Sequence, residues 1–110
     1  MNNFKTLAKE YIDLFRQKNL IGLKNLFDQN IKLIDWENEI EGVNDLIKLN
    51  RKLFKEFEYI DINILNIVSE KNLVFIELRI ELDKKVFLKV VDIIKFSKDN
   101  KIISIKAYKA

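Results

Sequence analysis

The chain has 110 residues, 48% hydrophobic and 34% charged, a composition suited to one globular domain with a sizeable core. It lacks both cysteine and histidine, which removes disulfides, thiol chemistry, imidazole bases and the usual transition-metal ligands, so no metal or cofactor is expected and any catalysis rests on Asp, Glu or Tyr. Its 20 basic and 17 acidic residues are interleaved, which argues against a nucleic-acid partner, and nothing approaches the ~20 apolar residues of a membrane span, so a cytoplasmic location is expected.

From Asn3 to Lys18 the apolar residues Phe4, Leu7, Ala8, Tyr11, Leu14 and Phe15 recur at three- and four-residue steps. That spacing predicts an amphipathic helix with Tyr11 in its buried stripe. Asn19 is placed to cap a short second helix from Leu20 to Phe27. Asn30 then opens a predicted strand, Ile31 to Trp36, whose Ile31, Leu33 and Asp35 share one side. The acidic segment Glu37 to Gly42 reads as a loop or small hairpin. A third helix follows over about Asn44 to Phe57, and its inner stripe of Val43, Leu46, Ile47, Asn50, Leu53, Phe54 and Phe57 has one polar member, Asn50.

Beyond Phe57 the pattern changes to alternation. Four strands are predicted, about Tyr59 to Val68, Leu73 to Leu82, Val86 to Phe96 and Ile102 to Tyr108, joined by short polar turns as an antiparallel meander. In the third of these, the even positions Val86, Leu88, Val90, Asp92, Ile94 and Phe96 face one way, and Asp92 is the single charge among them. A buried carboxylate must find a partner or keep its proton. Helices first and an antiparallel sheet afterwards describe an α+β domain spanning residues 1–110, with the helices on one face of the sheet. Apolar residues on the other face, Leu65, Ile67, Leu73, Phe75, Phe87, Val91 and Ile93, lead us to expect a homodimer formed through the sheet.

Tyr11, Asp35 and Asp92 thus occupy the inner faces of a helix, a short strand and a long strand. In that setting the sequence resembles the ketosteroid isomerase and SnoaL-like branch of the nuclear transport factor 2-like superfamily. Glu10 to Leu14 is similar to the segment with the family's oxyanion-hole tyrosine, Ile31 to Trp36 to the strand ending in the general-base aspartate, Val90 to Phe96 to the strand holding a protonated aspartic acid, and Lys101 to Tyr108 to the closing strand. The resemblance implies a cone-shaped curved sheet enclosing a pocket. It also implies proton transfer next to a carbonyl of a small hydrophobic ligand, with Asp35 as base and Tyr11 and Asp92 as oxyanion donors. Phe15, Trp36, Asn50, Phe54, Val90 and Lys109 are the expected pocket residues. Three of the departures from the isomerase pattern are Asn50 for a supporting tyrosine, Trp36 after the base aspartate, and Lys109 for a pocket aromatic, the last placing a cation near the entrance that suits a smaller or anionic ligand. A non-catalytic binding or assembly module of the same fold is the alternative. Epoxide hydrolysis by an Asp-Arg-Asp set is disfavoured, because Arg79 alternates away from the core.

Overall fold

A computed structural model describes residues 3–110. Helix α1 (Phe4–Arg16) begins where the Asn3 side chain accepts a hydrogen bond from Thr6 N at 3.1 Å, and it buries Ala8, Tyr11 and Ile12. Lys18 leaves the helix in the left-handed region at φ 57°, and the Asn19 side chain at once caps α2 (Leu20–Leu26) through Gly22 N at 2.8 Å. Strand β1 (Phe27–Ile34) follows without a loop, so Phe27 opens a strand and does not close a helix as its spacing suggests. Either role buries its ring.

A tight turn leads from β1 to β2 (Glu39–Glu41), the small hairpin expected of the acidic segment. Gly42, at φ 97°, then starts α3 (Val43–Glu56) in a conformation that a side chain would strain. The Lys18 ammonium donates to the carbonyls of Phe54, Phe57 and Glu58 at 2.9, 2.5 and 3.0 Å. Those oxygens stand where helix α3 runs out of partners, so Lys18 ties the end of α1 to the end of α3.

The remaining strands are β3 (Ile60–Glu70), β4 (Leu73–Leu82), β5 (Val86–Phe96) and β6 (Ile102–Lys109). They form the expected antiparallel meander, and the six-stranded sheet runs β2-β1-β6-β5-β4-β3. The sheet is mixed, because β1 lies parallel to β6. Helix α1 covers β3 and β4 while α3 lies against β1 and β2, so both sit on one face of an α+β domain. Between sheet and helices the core is fully closed around Leu23, Ile31, Val74, Ile76, Ile94, Phe96 and Ile102. No described helix is long and apolar enough to cross a membrane.

One expected outward residue is turned in. The register of β3 shifts between Ile64 and Asn66, which takes Leu65 out of the ladder and brings Ile67 opposite Ile76 on the inner face. Ile67 consequently packs against the core.

Candidate functional site

Between α1, α3 and the curved sheet lies a cavity of about 210 Å³. Its wall is largely apolar, with Leu33, Ile62, Leu78, Ile80 and Leu88 among the lining residues. Tyr11, Asp35 and Asp92 all line it, so the three groups expected of the site share one space. Phe15, Trp36, Asn50 and Val90 line it as well.

Two expected lining residues do not. Phe54 is buried behind the wall, its ring set edge-on against Phe15 at 4.9 Å between centroids. Lys109 pairs with Val90 across the sheet and has inward parity, but it falls at the exposed end of β6, beyond the cavity wall. Its ammonium sits 5.4 Å from the centre of the Trp36 ring, a cation-π contact on a tryptophan that is itself half exposed at the cavity rim.

Asp92 is 7% exposed and lies between Ile76 of β4 and Ala107 of β6 in the sheet register. Burial, and then the negative charge of Asp35, push its carboxyl up to about 7. Among the described residues the one ion pair joins Arg16 and Asp13, so Asp92 has no cation to hold it ionised. The Tyr11 hydroxyl is raised above its ordinary range, first by burial, then by Asp92 and Asp35. Burial thus favours the protonated form of both groups, which face an apolar space, and the charge of Asp35 acts on each in the same direction.

Asp35 lies just past the end of β1, at the first position of the turn 35–38. Its Oδ1 accepts from Glu37 N at 2.8 Å, Asn38 N at 2.6 Å and Asn38 Nδ2 at 3.2 Å. Its Oδ2 accepts only from Asn38 Nδ2, at 3.3 Å. One oxygen builds the turn and the other is left nearly free to take a proton. Asn38 also lines the cavity. Composition marked the segment as a loop, but nothing in the spacing marked Asn38 as a partner of Asp35; an aspartate followed three residues later by asparagine in a tight turn is the signal that was available.

A six-stranded, cone-like mixed sheet with helices over one face and a lined cavity between them is the nuclear transport factor 2-like architecture. The sequence profile of the SnoaL-like domain matches residues 8–105, and the chain belongs to that family. Among solved structures, a nuclear transport factor 2-like protein of unknown function from Cytophaga hutchinsonii superposes with a TM-score of 0.85 at 15% identity, covering 100% of this chain and 92% of that one. A proposed SnoaL-like polyketide cyclase from Shewanella denitrificans gives 0.88 at 14% identity, with 97% and 90% covered. A proposed ketosteroid isomerase from Kribbella flavida gives 0.83 at 13% identity, with 97% and 77% covered. At these identities the likeness is one of fold. No curated protein sequence matches the chain.

Proposed function

We propose that the protein is an enolising enzyme that moves a proton next to the carbonyl of a small, mostly apolar ligand. The observation that carries this reading is the sharing of one apolar cavity by Asp35, the Tyr11 hydroxyl and an Asp92 carboxyl that burial pushes up to about 7. Asp35 Oδ2 takes the α-proton, and the C–H electron pair moves into the carbonyl to give an enolate. The enolate oxygen accepts hydrogen bonds from the Tyr11 hydroxyl and the Asp92 carboxylic acid, where negative charge appears only as the reaction proceeds. Asp35 then returns the proton to another carbon of the conjugated framework. A buried carboxyl pushed up to about 7 supplies the acid of such a step, and Asp35 in the same cavity supplies the base. The cavity is smaller than the roughly 300–1,000 Å³ that suits drug-sized ligands, which favours a compact ring system.

The second reading is a ligand-binding module without chemistry. It is favoured by the three donors on Asp35 Oδ1, which give that carboxylate a structural reason to exist.

Deuterium exchange at the saturated α-carbon of a small cyclic β,γ-unsaturated ketone, followed by NMR, separates the two. An enolising enzyme exchanges it faster than buffer does, and Asp35→Asn removes about 10²- to 10⁴-fold of that rate. A binding module takes up 2-naphthol, an enolate mimic, and exchanges nothing.

A further inference from the structure

Asn50 stands on the inner stripe of α3 between Leu46 and Phe54, one helical turn from each, where a leucine would pack. It is 5% exposed and lines the cavity, with Leu49 and Leu53 of the same helix beside it in the wall. Its side-chain Nδ2 has no hydrogen-bond partner among the described residues. A buried amide donor left unpaired costs stability that an apolar side chain of the same size would not. That amide nitrogen makes no hydrogen bond to Tyr11 or Asp92, so it is not part of the pair that faces the proposed oxyanion. A polar group that supports neither the helix nor the acid pair, and that sits in the wall of a cavity, has the ligand as its remaining partner.

We propose that Asn50 recognises a second oxygen function on the ligand: its Nδ2 is sealed within the wall, and a turn of the side-chain amide brings it to a carbonyl or hydroxyl oxygen distinct from the one that Tyr11 and Asp92 address. The ligand class is then a compact carbonyl compound bearing two oxygens on an otherwise apolar ring framework. This deepens the enolising reading and rests on it for the role of the first oxygen. The recognition by Asn50 is separable from that role. A wall that offers a buried hydrogen bond discriminates strongly against analogues that lack the matching atom.

The test is a pair of titrations with 2-naphthol and 2,6-dihydroxynaphthalene, followed by the fluorescence of the naphthalene. Wild type is expected to bind the diol about tenfold more tightly than the mono-ol. In Asn50→Leu the ratio falls to about twofold, the statistical advantage of a symmetric ligand. Asn50→Ala supplies the same comparison if the leucine variant does not fold. An unchanged ratio in the folded variant, or binding of neither compound by wild type, overturns the inference. Tyr11→Phe is expected to weaken both phenols alike. If it weakens neither while Asn50→Leu still abolishes the preference for the diol, the oxyanion role of Tyr11 fails and recognition by Asn50 stands.

Discussion

Asn38 donates to the carboxylate of Asp35 from both its backbone and its side-chain nitrogen, at 2.6 Å and 3.2 Å to Oδ1, and the same side chain reaches Oδ2 at 3.3 Å. The turn that ends β1 and the orientation of the proposed base are thus one structure. A base acts only when its free oxygen points at the proton, and small misplacements are costly. Asn38→Ala keeps the backbone bond and removes the side-chain pair. It is expected to lower the α-exchange rate by about tenfold and folding stability by about 1 kcal/mol. Exchange by NMR and urea denaturation read the two effects. A variant with wild-type exchange and reduced stability would reduce Asn38 to a turn residue.

The raised carboxyl of Asp92 links stability to pH. The folded chain holds the proton up to about pH 7, while the unfolded chain releases it near the ordinary value of 3.8. The folded state therefore binds more protons across that window, and the contribution of Asp92 falls as pH rises through it. The stabilisation is complete below the unfolded value and lost above the folded one. The full span is on the order of 4 kcal/mol. Denaturation of wild type compared with Asp92→Asn at pH 5 and pH 8 should show the asparagine variant gaining relative stability at the higher pH. A carboxylate signal for Asp92 in the NMR spectrum at pH 6 would end its role as an oxyanion donor.

Lys18 offers a test of the frame around the site. Its ammonium satisfies three carbonyls at the C-terminal end of α3 and so fixes the helix that carries Asn50. Hydrogen bonds from a charged donor are worth more than neutral ones, and the stem is partly buried. Lys18→Met keeps the stem and removes the donor. It is expected to cost about 2 kcal/mol in thermal or urea unfolding. A loss under ~0.5 kcal/mol would show that water serves these carbonyls as well.

How far the site could be read in advance depended on whether the signal was local. The alternation around Asp92 is local, and it placed the carboxylate on the inner face, where it is found buried. The helical spacing likewise buried Tyr11. The bulge at Leu65 is invisible to alternation, since one extra residue reverses every later side chain, and Ile67 therefore turned inward against expectation. The parallel pairing of β1 with β6 joins segments from opposite ends of the chain, and no periodicity within either strand announces its neighbour. Lys109 had the parity of the cavity face but lay one step past its rim, because parity fixes a side and not a depth. Asn38 was missed because turn geometry depends on backbone angles that the residue types only suggest.

The outer face of the sheet carries the last prediction. Val68, Phe75 and Ile93 lie side by side in the strand register, with Val91 and Tyr108 adjacent in the next row, and all but Ile93 are exposed. Glu77 stands opposite Val91 and Lys106 opposite Ile93, so acidic and basic groups border the same patch. Monomers seldom leave contiguous apolar surface of this kind uncovered. A twofold axis through the patch lets each copy bury the other's apolar rows and sets charges of both signs at the seam. We propose that the second copy of this chain is the occupant. Sedimentation equilibrium should return twice the 13.2 kDa chain mass, and Val91→Lys, which sets an unpaired ammonium in the patch, should return a folded monomer. Because the patch and the cavity lie on opposite faces of the sheet, the monomeric variant should still bind 2-naphthol. A wild-type chain that sediments at its own mass at high concentration would leave the face without this partner.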